Sequence, residues 1–329
     1  MRRSELLADV AVRRGLYWPS SEIYGGVGGF YDYGPLGVLT RRNIIEKWRK
    51  IFIEPYQDMI VEIETPIIMP EIVFKASGHL EHFTDYVIAC LKCGRRYRAD
   101  HLIAEELEKR GVRLSLEGLA GEQLNEIVAK YNIRCPNCGG ALGKTERFNL
   151  LFRTTIGPYS TEAGYLRPET AQGMFVSFPR LADYVGRRVP FGAAQIGRVG
   201  RNEISPRQGL IRLREFSQME IELFFDPQNP SCPYLPEVEG SEIPIVPEEL
   251  VAKGREEPLW LTPRQIVAKG YANEWMAFFM ALSVKFMAEL GVGPEKQKFV
   301  AKLPHERAHY AAAVYDQMAF TERFGWIEV

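Results

Sequence analysis

Four of the five cysteines fall into two C-x-x-C pairs, Cys90 with Cys93 and Cys135 with Cys138, roughly 40 residues apart. Each pair can clip one edge of a tetrahedral ion, and two pairs close a four-thiolate shell around Zn²⁺. The settings CLKCGRRYR and CPNCGGAL put a glycine after each second cysteine. A glycine there allows the backbone turn that aims amides at sulfur. A shell of four cysteines leaves no open coordination position, so such an ion would be structural. The competing readings are disulfides, disfavoured in a cytosolic chain, and four small buried apolar side chains. Cys232 is left over and reads as an inert thiol.

The richest polar stretch is AAQIGRVGRNEISPRQGLIRLREFSQMEIELFF, residues 193–225. It reads as strand, polar loop and strand. Arg201 and Glu203 are two apart in the first strand, so both are expected on one face. The loop carries Pro206, Arg207, Gly209 and Arg212. In the second strand Phe216, Gln218, Glu220 and Glu222 share one face, and Ser217, Met219, Ile221 and Leu223 the other, which is apolar enough for core. Arginines beside such a polar face can hold a phosphate bidentately. Phe216 can stack on a base, and Glu220 can hold an ammonium group. A solvated strand face with cross-strand Arg–Glu pairs accounts for the same residues equally well.

GGVGGFYDYGPLG, residues 25–37, invites a phosphate-loop reading and fails it. There is no G-x-x-x-x-G-K-[ST], and the dinucleotide fingerprint is incomplete. A tight loop with positive φ at its glycines, covered by aromatics, is the plainer expectation.

The elements that must position these residues follow from periodicity. Val38, Arg41, Ile45, Trp48, Ile51 and Phe52 recur at helical spacing, and Pro55 ends the run. MIVEIETPIIMP reads as a strand followed by an extended segment. Within the cysteine bracket, 105–110 and 122–131 read as helices of an inserted module. The segment at about 231–254 is rich in proline and glutamate and reads as a surface loop. Asn273 to Leu290 is a strong helix with Trp275, Phe278, Phe279, Leu282 and Phe286 on one stripe and Gly291 just past its end. Strands come in hairpin-like pairs, so the fold class is α+β with an antiparallel sheet. Three regions are expected: 1–89, the insert 90–145, and 146–329, the last with a loop and helical insertion at about 231–300.

The chain has 329 residues, a formal net charge of −1, 46% apolar and 25% charged residues. These values suit a soluble globular protein of about two domains. Bulk charge announces no nucleic-acid partner, so any such surface must be a local basic patch. No apolar run spans a bilayer, so no membrane partner is expected. The first twenty residues carry no apolar h-region, and the expected compartment is the cytoplasm.

Arg201-Asn202-Glu203 followed by Ile211-Arg212-Leu213-Arg214-Glu215-Phe216 resembles motif 2 of the class II aminoacyl-tRNA synthetases, in its glycyl form. GGVGGFYDYGPLG, Ser77-Gly78-His79, YRADHL (97–102), LRPETAQGMF (166–175), HERAHYA (305–311) and FGWIEV (324–329) are similar to the same family, in family order. The resemblance runs from about Glu5 to Val329. It implies an antiparallel sheet flanked by helices, with an inserted zinc-binding module. It further implies formation of glycyl-adenylate from glycine and Mg²⁺-ATP, and transfer of glycine to tRNA-Gly. By match, Arg201 and Glu203 would be catalytic. Arg201, Asn202, Glu203, Ile211, Arg212, Leu213, Arg214, Glu215, Phe216, Glu328 and Val329 would bind ATP. Arg98, Glu169, Phe216, Gln218 and Glu220 would bind glycine. Cys90, Cys93, Cys135 and Cys138 would hold the zinc. The helix over 38–52 and the strand after it resemble motif 1, which implies a homodimer; Trp48 and Phe52 are expected either to contribute to its interface or to be plain core within the chain.

The family continues past the position matched by Val329, into motif 3 and an anticodon-binding domain. This chain is therefore expected to be an incomplete or split form: a truncated piece, the product of a broken gene, or one half of a split enzyme whose separate second polypeptide carries motif 3. The alternative is a non-catalytic relative that binds nucleic acid or protein. Retention of Arg201, Glu203, Phe216, Glu169 and Glu220 argues against it.

Overall fold

The computed structural model describes residues 3–329 apart from 113, 115, 117, 159–161, 207–208 and 308–310. Arg207 and the centre of the 305–311 segment therefore lie outside the described residues.

The chain opens with α1 (Arg3–Arg13) and a short antiparallel pair, β1 (Tyr17–Pro19) and β2 (Tyr31–Tyr33). The glycine-rich loop lies between the two strands. Gly29 there has φ +84°, and a β-carbon on it would sit 2.6 Å from Pro206 Cγ. Only glycine lets this loop touch the 201–214 segment. α2 (Pro35–Phe52) starts on proline, whose missing N–H costs nothing at a helix start. Trp48, Ile51 and Phe52 are buried, and Phe52 meets the Phe286 ring at 5.8 Å. Trp48 and Phe52 are thus core within this chain, the second of the two places expected for them, and they are not available to a dimer interface. Val38, placed by periodicity on the buried stripe, is exposed. β3 (Ile60–Ile63), β4 (Ile68–Pro70), α3 (Glu71–Ala76) and the single turn α4 (His79–His82) follow.

The four-cysteine insert is built from β5 (Thr84–Cys90), β6 (Arg96–Arg98), α5 (Ala99–Glu108), α6 (Gly121–Lys130) and β7 (Leu142–Asn149). Its strands run in the order β6-β5-β7. Ile88, Tyr97, Leu102, Ile103, Leu107 and Leu124 form its own core, together with Cys90 and Cys135. α5 begins six residues before the expected 105, directly after Arg98, and α6 matches the expected 122–131 within one residue.

β8 (Phe152–Thr155) and β9 (Ala163–Leu166) form a sheet with β4 in the order β4-β9-β8. α7 (Ala171–Tyr184) leads to the long hairpin of β10 (Phe191–Gly200) and β11 (Glu215–Phe224), whose register runs from Phe191↔Phe224 to Gly200↔Glu215. β3 joins the outer side of β10. Met219, Ile221 and Leu223 pack on the main core, as their alternation requires. The other face of β11 turns to α7, where Phe224 lies 4.8 Å from Phe178.

A five-stranded sheet completes the described chain, in the order β13-β12-β14-β15-β16. This part of the chain runs β12 (Ile243–Val246), α8 (Glu248–Val251), β13 (Leu259–Leu261), α9 (Pro263–Ala268), α10 (Glu274–Glu289), β14 (Gln297–Ala301), β15 (Tyr315–Thr321) and β16 (Gly325–Glu328). The Asn273 side chain accepts from Met276 N–H at 2.8 Å, capping α10, and Gly291 takes φ +93° beyond its end. The proline- and glutamate-rich segment is not a surface loop. Ile243, Ile245 and Val246 are fully buried in β12, and Cys232, Leu235 and Val238 join the same core. The prolines and glutamates flank a short apolar run that a compositional reading averages away.

The architecture is mixed α+β with antiparallel sheets. Among the described residues two pairings are parallel, β3 with β10 and β12 with β14. No helix of the described residues is long and apolar enough to cross a membrane.

Candidate active site and metal centre

Two carboxylates, Glu169 and Glu220, lie near one another between β11 and the start of α7. Thr170, fully buried, is gripped from both sides. Its N–H donates to Glu220 Oε2 at 3.1 Å, and its hydroxyl donates to the same oxygen. Its carbonyl accepts from Gln195 Nε2 at 3.0 Å, and Gln195 sits opposite Glu220 across the β10–β11 hairpin. Glu220 therefore lies at the N-terminus of α7, where a negative charge is favoured. Burial still raises its pKa, helped by the Glu169 charge and opposed by the Thr170 hydrogen bonds. Glu169 behaves oppositely. Burial works to raise its pKa, but hydrogen bonds from His79 and Gln172 and the nearby Arg201 charge outweigh it and hold the carboxyl below its ordinary value. Gln172 Nε2 and His79 Nε2 reach Glu169 Oε1 at 2.6 and 3.4 Å. Both contacts fall on one oxygen, so Oε2 is left for a further donor. Glu169 is held through Oε1, and Glu220 by Thr170 through Oε2 with a further bond from the Ala171 N–H; two such fixed carboxylates suit an ammonium ligand.

Arg201 forms the next wall. Its Nε donates to Pro168 O at 3.0 Å, and its guanidinium lies over the Phe216 ring at 5.4 Å and the Phe83 ring at 5.8 Å. That plane is fixed by one nitrogen, with the terminal fork as the part able to clamp an oxyanion. Arg167, almost fully buried, anchors the 166–170 segment by donating to Arg198 O and Thr65 O. Its guanidinium passes so close over Gly197 that a β-carbon there would collide with it.

The structure separates two residues that alternation would put together. β10 ends at Gly200, so Arg201 and Glu203 are outside the strand and do not share its face. Glu203 N–H donates to Arg201 O at 2.7 Å, a tight local turn that redirects the chain. Glu203 faces Arg212 at 3.8 Å and lines a small cleft with Tyr97, Arg98, His101, Ser205 and Arg212. Arg98 belongs to that cleft, paired with Asp85 at 3.1 Å and Asp100 at 2.9 Å. Burial lowers the Arg98 pKa, and the Asp100 and Asp85 carboxylates reverse this and raise it. Arg214 is committed to backbone: it donates to Glu203 O twice and to Gly28 O at 2.7 Å, tying the glycine-rich loop to the hairpin. Asn202 N–H donates to Leu150 O, Leu213 is buried and Ile211 is exposed. Glu215 pairs with Arg198 at 2.8 Å. Gln218 lies on the Glu220 face, and its Oε1 is buried with no hydrogen-bond partner. Glu328 and Val329 sit at the end of β16, an edge of the five-stranded sheet.

The cysteines converge. The four Sγ atoms lie within 4.8 Å of one another, with Cys90–Cys138 at 3.5 Å and Cys93–Cys135 at 3.7 Å. Four sulfurs about 2.3 Å from one tetrahedral ion lie roughly 3.8 Å apart, so the donor set has the dimensions of a metal site. Backbone N–H groups of Lys92 and Cys93 point at Cys90 Sγ at 3.4 Å, and the Tyr97 hydroxyl lies 3.2 Å from Cys135 Sγ. A β-carbon on Gly140 would press within 3.0 Å of Cys90 Sγ.

Sequence reasoning did not single out His79, Thr170, Arg167 or Gln195 individually, and left Glu222 without a role. The signal was the intact RPET run, which carries an arginine and a threonine beside Glu169, and the third carboxylate in the β11 row. Glu222 is pushed up to about 7 by burial and by the Glu220 and Glu169 charges.

No family model matches the chain. Among curated proteins it is 50% identical over 328 residues to the Glycine–tRNA ligase of Aeropyrum pernix, covering 99% of this chain and 55% of that protein. It is 48% identical over 325 residues to the Glycine–tRNA ligase of Pyrococcus abyssi, covering 98% of this chain and 55% of the relative. With the Glycine–tRNA ligase of Methanocaldococcus jannaschii it shares 45% identity over 329 residues, 98% of this chain and 56% of the relative. The chain spans about half the length of the curated relatives it matches.

Proposed function

From the premise that this chain is a relative of the glycine–tRNA ligases over nearly all its length, we propose that it carries the glycine- and ATP-facing walls of such an enzyme. The reaction joins glycine to ATP, releasing pyrophosphate, and passes the glycyl group to tRNA-Gly. The observation that carries the reading is the proximity of Glu169, Glu220 and Arg201, close enough for the Arg201 charge to act on Glu169 and the Glu169 charge on Glu220, with each side chain hydrogen-bonded in place.

In the first step a glycine carboxylate oxygen attacks the α-phosphorus of ATP, and the bond to the bridging oxygen breaks as pyrophosphate leaves. No protein nucleophile is needed, so the chain's task is positioning and stabilising charge at the α-phosphoryl group. Glu169 Oε2 and Glu220 Oε1 would hold the glycine ammonium. The Arg201 fork would meet the α-phosphate, and Phe216 would offer a stacking face to adenine. Magnesium bound with ATP would neutralise phosphate charge. Carboxylates crowding the ammonium leave little room for a β-carbon, which selects glycine by exclusion.

Arg98, Glu203 and Arg212 are proposed to hold the insert against the 201–214 segment, with Glu203 and Arg212 on the ATP side. Gln218 would extend the glycine wall. Asn202, Ile211, Leu213, Arg214 and Glu215 would shape the ATP site mainly through backbone and packing. Glu328 and Val329 would lie beside ATP. The four cysteines are proposed to bind a structural zinc. A homodimer would use the exposed Leu36, Val38 and Leu39 of α2. The longer relatives contain further polypeptide, and its proposed docking place is the open edges of β11 and β16. The cytoplasm is the proposed compartment.

The test is glycine-dependent exchange of pyrophosphate into ATP by the chain supplemented with the remaining half of a relative. Exchange that Arg201→Ala abolishes supports the reading. Exchange indifferent to glycine, or none with the second half present, contradicts it.

A further inference from the structure

His79 reaches Glu169, one of the two carboxylates. It stands on the first residue of α4, directly after Gly78, which takes φ +77° to turn the chain inward. The ring is largely enclosed, with 16% of its side chain exposed, and lies between the Phe74 ring at 6.1 Å and the Phe83 ring at 5.5 Å. Its two nitrogens have different partners. Nδ1 is 2.9 Å from Ser77 Oγ, and Nε2 is 3.4 Å from Glu169 Oε1. Asn149 Nδ2 donates to the His79 carbonyl and locks the backbone beneath the ring.

We propose that His79 is a positioning residue for the Glu169 carboxylate, and through it sets recognition of the substrate ammonium; the inference rests on the glycine reading above. Nε2 lies 3.4 Å from a carboxylate oxygen, which only accepts, so Nε2 carries a proton there. Nδ1 lies 2.9 Å from Ser77 Oγ, whose hydroxyl also has Phe74 O at 3.5 Å as an acceptor. The Nε2–H···Oε1 contact brings one donor to one carboxylate oxygen. Gln172 supplies the second donor to the same oxygen at 2.6 Å. The carboxylate is thereby held ionised and rotated, with Oε2 toward the ligand. The charged groups about this contact are Glu169 itself, Arg201 beyond it, and Glu220 on β11. Of these only Arg201 competes for Glu169, and its Nε is occupied by Pro168 O. A histidine that served packing alone would have no need of distinct partners on its two nitrogens.

Two measurements on the full chain test this. The first is nitrogen-edited NMR of histidine-labelled protein. The His79 Nε2–H signal is expected to be visible and slow to exchange in the wild type, and lost in Glu169→Ala. The second is calorimetric binding of glycylsulfamoyl adenosine, which carries the amine, and acetylsulfamoyl adenosine, which lacks it. His79→Ala is expected to weaken the first ligand by about tenfold while leaving the second unchanged. His79→Gln, whose amide donates from the place of Nε2, is expected to recover most of that loss. Equal weakening of both ligands marks a merely structural residue and overturns the proposal, and so does an Nε2–H signal indifferent to Glu169→Ala; the glycine reading survives either. If the signal couples as expected but the wild-type chain does not prefer the amine-bearing ligand, the glycine reading falls, and the role of His79 in recognition falls with it.

Discussion

Glu220 Oε2 accepts the backbone N–H of Thr170 at 3.1 Å and the Thr170 hydroxyl as well, so the second arm of the β10–β11 hairpin caps the helix that follows Glu169. The same carboxylate thus has a folding task and, on the present account, a ligand task. Glu220→Gln keeps an oxygen for Thr170 and removes the charge. It is expected to stay within about 1 kcal/mol of wild-type stability while weakening the amine-bearing adenylate analogue about tenfold. Glu220→Ala also loses the cap, at about 1 kcal/mol more. Urea melts beside calorimetric binding separate the two tasks. A Gln variant that binds normally contradicts the ammonium assignment.

Arg98 distinguishes a substrate contact from a structural tie. Its guanidinium is engaged by Asp85 and Asp100. Arg98→Ala is therefore expected to cost about 2 kcal/mol, and Asp85→Asn combined with it to cost less than the sum of the two. A double-mutant cycle by denaturant unfolding measures that coupling. Unchanged stability with lost glycine binding would instead make Arg98 a substrate contact.

Glu222 gives a pH dependence with a definite sign. Its folded pKa is raised from 4.5 to about 7 by burial and its carboxylate neighbours. Between these values the folded protein holds more protons than the unfolded one, so this group's contribution favours folding at low pH and fades as pH rises. Glu222→Gln is expected to flatten the fall in stability across that window and to be the more stable protein above it. Melting temperatures over a pH series check this; identical slopes for the two proteins contradict it.

The four-thiolate centre predicts about one tightly bound zinc per chain. Cys90→Ser or chelation is expected to lower the melting temperature and expose the insert, whose core contains Cys90 and Cys135, to proteolysis. Elemental analysis and limited digestion read both effects. A chain that keeps full stability after complete metal removal contradicts a structural role.

Much of this arrangement was legible in the sequence for specific reasons. α10 announced itself through an apolar stripe, an asparagine cap and a terminal glycine, all local signals. The paired cysteines carried their geometry in their spacing. The face of β11 followed from alternation, and Met219, Ile221 and Leu223 are where a period of two puts them. What failed did so where tertiary contacts override local pattern. Arg201 and Glu203 obey alternation only while the strand lasts, and β10 stops at Gly200. β12 is four residues long inside a polar composition, and its burial depends on β14, some 50 residues later. Trp48 and Phe52 lie on a stripe that says they are buried but not against what. The partners are Phe286 and its neighbours on α10. His79 was visible only as part of a run, because its role depends on a glutamate 90 residues away.

The central claim, that Glu169, Glu220 and Arg201 form a glycine-selective adenylate pocket, is tested most directly by calorimetric binding of glycylsulfamoyl and alanylsulfamoyl adenosine to the same preparation. The account predicts that the glycyl compound binds, that the alanyl compound is at least about tenfold weaker because its methyl group meets the carboxylate walls, and that Arg201→Ala weakens both. Equal affinity for the two compounds, or glycyl binding untouched by Arg201→Ala, would contradict it.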